Sequence, residues 1–196
     1  MARGRPRAFD TTTALDAALD LFWSRGYEGT TMADLSAAMD LKPGSIYAAF
    51  GSKEGLYEKV LDRYVDTVST YPADALPQPT VRGVIEVWLR GAVHATAGAD
   101  TPAGCLLVQG ALVSGAEADR ARQETARRRA AGEIQLRRRF DQAREDGSLP
   151  EDVSPGALAT YVSALAQGIA VEAASGVSHD ELDAMIELVL RRLPWE

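Results

Sequence analysis

TMADLSAAMDLKPGSIYAAF, residues 31–50, is the stretch that decides the fold, because it reads as two short helices joined by a tight turn. Thr31 is a good helix N-cap, and Asp34 three residues later completes a Thr-x-x-Asp capping box. Met32, Leu35 and Met39 then fall on one helical face. Asp40-Leu41-Lys42 breaks the helix. Pro43 opens the next one, since a first-turn proline has no N–H to lose and its φ is already helical. Gly44 and Ser45 follow, and small residues at a helix front let the backbone approach another surface closely. A helix, a short turn and a second helix form the layout in which the second helix enters the DNA major groove by its N-terminal residues.

The flanks extend the pattern. Leu15, Ala18, Leu19 and Phe22 have i, i+3, i+4, i+7 spacing, which marks an amphipathic helix. It is expected to start after Asp10 and to end at Gly26 in a C′ position. Downstream, Ser52 caps a fourth expected helix carrying Tyr57, Val60, Leu61, Tyr64 and Val68. Taken together, LFWSRGYEGTTMADLSAAMDL, KPGSIYAAF and SKEGLYEKVL resemble the N-terminal domain of TetR-family transcriptional regulators over about residues 10–64. The resemblance implies an all-α, cytoplasmic, homodimeric repressor that binds double-stranded operator DNA and an unknown small-molecule effector.

Composition sets bounds on this reading. The chain has 196 residues, 46 % hydrophobic and 25 % charged, which is ordinary for a globular protein. Its net charge of −7 argues against a nonspecific nucleic-acid coat. Specific binding through a local basic patch remains open. The single cysteine, Cys105, excludes an intramolecular disulfide and suits a reducing compartment. No apolar segment follows the basic N-terminus, so no signal peptide is expected. No run of about 18 apolar residues appears, so no membrane partner is expected either.

The remainder reads as helices. Prolines within 70–79 break the chain. Helices are then expected near 80–97, 105–114, 116–146, 155–175 and 179–193, for about nine in all. Residues 1–52 would form the arm and helix-turn-helix domain, linked through a helix at 53–71. Residues 53–196 would sense the effector and dimerise.

Thr31, Lys42, Pro43, Gly44, Ser45, Tyr47 and Lys53 are the candidate DNA contacts. Exposed N–H groups at helix fronts suit phosphate oxygens, and hydroxyls and lysines reach phosphates or base edges. Tyr47 could instead be a core aromatic, and Phe50 is expected to point inward. Ala48-Ala49 replaces the aromatic or histidine commoner in the family at this point, which removes one usual phosphate contact. Arg3, Arg5 and Arg7 resemble a minor-groove arm, and a solubilising tail is the alternative. Arg127–Arg129 and Arg137–Arg139 look like a second patch, but Glu124–Arg128 and Glu133–Arg137 pairs at i,i+4 would absorb their charge.

Tyr64, Trp88, His94, Cys105, Gln109 and Tyr161 have the composition of a ligand pocket, aromatic with a few polar handles. GCLLVQGAL resembles a segment of family members that sense electrophiles through its cysteine. The alternative for Cys105 is a buried structural thiol. Tyr161, Leu165, Ile169, Leu182, Met185, Ile186 and Val189 on the last two expected helices give apolar faces for a twofold partner. No cofactor, metal or catalytic constellation is expected: His94 and His179 lack metal-ligand spacing, and no phosphate loop or nucleophile elbow occurs. A nucleoid-associated or structural DNA-binding protein without a ligand is the rival reading, and a thiol-based sensing regulator a lesser one.

Overall fold

The computed structural model describes residues 10–98, 101–110, 115 and 118–193. Arg3, Arg5 and Arg7 lie outside the described residues, as do parts of the helices expected over 105–114 and 116–146. Among the described residues there are helices and connections but no strand.

The first four helices are α1 (Thr11–Arg25), α2 (Met32–Ala38), α3 (Pro43–Phe50) and α4 (Lys53–Thr67). Their ends follow the chemistry of their caps. The Asp10 carboxylate accepts from the amides of Thr12 and Thr13, and Gly26 closes α1 with φ 71°. Thr31 and Asp34 satisfy each other's backbone amides at the front of α2. Asp40 turns the chain toward α3 with φ 49°, a conformation that Asp tolerates better than most residues. The Ser52 hydroxyl caps α4 through Gly55.

The rest comprises α5 (Pro72–Ala75), α6 (Val81–Thr96), α7 (Leu106–Gln109), α8 (Asp119–Glu145), α9 (Pro155–Ala174) and α10 (His179–Arg192). The one-turn α5 is an addition to the nine expected helices. It forms within the proline-rich break because Pro72 suits a helix front. Gly91 lets Tyr71 lie directly on α6, where any Cβ would stand 2.2 Å from the Tyr71 Cβ.

Two apolar clusters result. One joins α1–α4 to α7 and the start of α8. On α4, Leu56, Tyr57, Val60, Leu61 and Tyr64 are all fully buried in it. The other is built from α5, α6, the second half of α8, α9 and α10. By length and composition α9 alone, among the described helices, could cross a bilayer, a feature the search for an uninterrupted apolar run missed. Here it packs on α6 and α8, with Tyr161 and Val171 left exposed.

The arginines of α8 are largely paired. Glu124 holds both Arg127 (2.9 Å) and Arg128 (2.7 Å), and Asp62 takes Arg128 from α4 at 2.6 Å. The expected Glu133–Arg137 pair does not form. Arg137 faces Asp141 instead, and Glu133 accepts from the Thr160 hydroxyl on α9.

The corner between α3 and α4 is tight: a Cβ at residue 55 would stand 2.2 Å from the Phe50 carbonyl oxygen. Gly55→Ala should therefore destabilise the fold by about 1–3 kcal/mol, the usual cost of overpacking. Urea unfolding monitored by circular dichroism measures this, and an unchanged midpoint would show that the corner yields freely.

Candidate functional site

Two sites arise from these elements. The first is the outer face of α2 and α3. Ile46 is fully buried, which fixes the rotation of α3 and turns Lys42, Pro43, Gly44, Ser45 and Tyr47 to solvent. Tyr47 is 47 % exposed, so the core alternative for it fails. Phe50 packs partly buried against the α1–α4 cluster, with its side chain inward as its spacing from Ile46 suggests. A Cβ on Gly44 would meet nothing within 4 Å, so no intramolecular packing calls for glycine there. Thr31 is exposed, although its hydroxyl is engaged with Asp34 at 2.6 Å.

Lys53 is less free than its position suggests. Its ammonium lies 4.3 Å from the centre of the Tyr27 ring, a cation–π contact. Burial pulls its pKa below the ordinary lysine value, against the opposing charges of Glu54 and Glu28. The Tyr27 hydroxyl in turn donates to Glu54 at 2.8 Å. Burial, then this bond, pushes the Tyr27 pKa up.

The second site is a cavity of about 190 Å³ between α4, α6, α8 and α9, closed on one side by residues 105–108. Tyr64, Trp88 and Cys105 line it as expected of pocket residues. The other three candidates lie elsewhere. His94 is exposed because the buried stripe of α6 passes through Val93 and Ala95 instead. Gln109 lies at a separate surface opening beside Trp23 and Arg25. Tyr161 points outward from α9 and is 46 % exposed. Sequence reasoning missed Arg129, Ser163 and Gln167, which the α8 and α9 walls supply. The helical period of α9 would have put Ser163 on the same face as buried Ala159 and Ala170, the available signal.

Cys105 is partly buried in the cavity wall. The Tyr64 hydroxyl donates to its Sγ at 3.2 Å. Burial raises its pKa, outweighing the Tyr64 bond, the α7 amides and nearby Arg129, all of which lower it. Its place at the front of α7 therefore does not make it a thiolate at neutral pH, and the nucleophilic form is scarce.

A strap over residues 104–110 connects the two sites. The Trp23 indole N–H of α1 donates to the Gly104 carbonyl at 3.0 Å, and the Tyr27 amide donates to the Gly110 carbonyl at 3.3 Å. On the cavity side, Arg129 Nη1 donates to the Leu107 carbonyl at 2.9 Å. Cys105, Leu107 and Val108 of this strap thus wall the cavity, while its two ends hold Trp23 of α1 and Tyr27 just beyond it.

The expected partner-facing residues divide in two. Ile169, Leu182 and Ile186 are buried within the protein's own second cluster. Leu165, Met185 and Val189 are partly buried, and Tyr161, Val171 and Leu188 stand exposed at 46 %, 47 % and 51 %. The surface open to a partner is therefore narrower than the apolar stripes suggested, because one side of each stripe fills the core. Among the described residues no group of three His, Cys, Asp or Glu is arranged to hold a metal ion.

Lys42→Ala should lower the salt dependence of DNA binding by about 0.9 in log–log slope if the lysine meets one phosphate. Tyr47→Phe should lower affinity for the bound sequence while leaving the melting temperature within a few degrees, since the ring is already in solvent. Fluorescence anisotropy across a salt series and thermal unfolding check both. Wild-type slope and affinity in both variants would place the DNA elsewhere.

Known proteins share this arrangement. Residues 14–60 match the family described as bacterial regulatory proteins, tetR family, and residues 77–188 match the tetracyclin repressor-like C-terminal domain. The transcriptional repressor ComR of Escherichia coli K12 is 31 % identical over 195 residues, spanning 98 % of this chain and 93 % of ComR. A second E. coli K12 repressor, BdcR, is 37 % identical over 109 residues, or 55 % of each chain. Among solved structures, a cysteine mutant of the TetR-family regulator CifR complexed with 26-bp double-strand operator DNA is 38 % identical. It superimposes with a TM-score of 0.91 over 97 % of this chain and 100 % of that one.

Proposed function

The chain belongs to the TetR family of bacterial transcriptional regulators, and we propose that it is a cytoplasmic repressor that binds a palindromic operator as a homodimer and leaves it when a small molecule fills the cavity. Residues 1–52 would read the operator, with Thr31, Lys42, Pro43, Gly44, Ser45, Tyr47 and Lys53 toward the DNA. Residues 53–196 would sense and dimerise, with α4 shared between the two parts. The likeness to ComR and to DNA-bound CifR supports the operator reading.

The observation that carries the effector reading is the strap. Cys105, Leu107 and Val108 line the cavity, while Gly104 accepts a hydrogen bond from Trp23 of α1 and Gly110 one from Tyr27 just beyond it. A ligand that displaces the cavity side would therefore load α1 and, through it, the pose of α3. Two recognition helices must match major grooves roughly 34–36 Å apart. A ligand preferring another spacing would shift the population away from the DNA-binding state. The cavity also counts against a structural DNA-binding protein without a ligand.

The homodimer reading rests on the open face of α9 and α10, where Tyr161, Val171 and Leu188 are exposed. A charge there would be buried unpaired in the assembly, at a cost of several kcal/mol. Val171→Arg and Leu188→Arg should give folded monomers with weak operator binding. Sedimentation velocity decides, and intact dimers for both variants would move the interface. Ile169→Arg would be a poor test, because Ile169 is fully buried in the protein's own core.

The release mechanism has its own test. Trp23→Phe keeps an aromatic ring and removes the N–H that holds Gly104. It should preserve operator affinity within a few fold while blunting ligand-induced release. Anisotropy of labelled operator, titrated with compounds that release the wild type, measures both. An unaltered release curve would remove the strap from the mechanism.

A further inference from the structure

The polar groups of the cavity are distributed unevenly. On α8, Arg127 and Arg128 are each paired with carboxylates. Arg129 lines the cavity, forms no ion pair among the described residues, and spends one N–H on the Leu107 carbonyl. On α9, Ser163 is 8 % exposed and lines the same cavity, and its hydroxyl forms no hydrogen bond among the described residues. Its Oγ is open to the cavity, where a polar group of a ligand can meet it. Between these walls stands Trp88, set edge-on to Tyr71 at 5.3 Å between ring centres.

We propose that the cavity takes a small aromatic monocarboxylic acid, its carboxylate on Arg129, its ring against Trp88 and a second polar group at Ser163. This rests on the reading of the cavity as the effector site. An unpaired guanidinium in a confined apolar space selects a carboxylate by a charge-assisted, bidentate bond. The volume of about 190 Å³ suits one ring with small substituents, since a cavity of roughly 150 Å³ accepts benzene. Glu133 also lines the cavity, four residues beyond Arg129 on the same helix and held by Thr160. Its charge disfavours a second carboxylate on the ligand.

The same contact supplies the coupling. A carboxylate on Arg129 competes with the Leu107 carbonyl for the guanidinium. Leu107 belongs to α7, and Gly110 at the end of α7 accepts from the Tyr27 amide. Tyr27 carries Lys53 over its ring and holds Glu54, both in the first turn of α4, directly after α3. Acid binding is thereby linked to the element beside the recognition helix by a continuous path of contacts.

Calorimetry on the full chain with benzoate, 4-hydroxybenzoate, benzamide and terephthalate tests the proposal. Benzoate and 4-hydroxybenzoate should bind one per chain, with benzamide and terephthalate at least tenfold weaker. Arg129→Gln should weaken both acids at least tenfold and leave benzamide unchanged, and Arg129→Lys should restore part of the loss. Ser163→Ala should weaken 4-hydroxybenzoate but not benzoate. Equal binding of benzoate and benzamide, full acid binding by Arg129→Gln, or no binding by either acid would each overturn it. Operator release is scored separately. Acids that bind through Arg129 without releasing operator would sustain the ligand class and reject the release mechanism. Release by benzamide as potent as by benzoate would do the reverse.

Discussion

One buried hydrogen bond organises much of this molecule: the indole N–H of Trp23 on the Gly104 carbonyl, 81 residues away in sequence. Trp23 is 5 % exposed, so its N–H needs a partner within the protein. Gly104 supplies it from a conformation with φ 89°, which favours glycine, and a Cβ there would press on Gln109 at 2.5 Å. The bond holds the 104–110 strap against α1, and the Tyr27 amide on Gly110 fixes its other end. Around it, Trp23 meets Tyr64 edge-on at 5.0 Å, and Tyr57 meets both Phe22 and Tyr27 at 5.0 Å. Interiors packed this closely shift between discrete arrangements rather than deform smoothly. A local change at the strap therefore tends to be passed on to α1 as a whole.

The helix-turn-helix was legible in the sequence because its signals are local. Caps at Asp10, Thr31 and Ser52 each act within three residues, and the structure uses every one. The one-turn α5 was not legible, because Pro72 sits in a proline-rich break that signals an interruption as readily as a helix front. The cavity was legible only as a composition. Trp88 and Tyr64 declare themselves as large aromatics, but whether His94 or Ser163 faces inward depends on how α6, α8 and α9 cross. The sequence pattern also overstated the open face of α9 and α10. Apolar periodicity marks the buried side of a helix without saying whether this chain or a second copy buries it. Ile169, Leu182 and Ile186 turned out to serve the chain's own core.

Cys105 shows burial and helix position pulling a thiol in opposite directions. A cysteine at a helix front is expected to be acidified by the amides ahead of it. Here the helix is one turn long, and the partly buried thiol lines the cavity. Desolvation then dominates, and Tyr64, whose own pKa burial also raises, donates to sulfur rather than releasing its proton. The group stands in the cavity wall, and its burial favours the neutral thiol.

Charge makes the last constraint. Between residues 10 and 55 the basic side chains are Arg25, Lys42 and Lys53, outnumbered by acids on the same helices. Arg25 lies near Asp34 at 3.4 Å, and Lys53 is drawn over Tyr27, so Lys42 is the cation left facing outward at the front of α3. A face so poor in cations gains little from counterion release, the term that dominates nonspecific DNA binding. Operator affinity on the proposed docking would then lean on helix-front amides, on the Ser45 and Tyr47 hydroxyls, and on Arg3, Arg5 and Arg7 of the N-terminal arm. A protein of net charge −7 that binds DNA this way would depend on the fit of shape and hydrogen bonds as well as on those arginines. On that docking the balance between bound and free states would lie within reach of a coupling energy of about 1–3 kcal/mol from a single small ligand in the cavity.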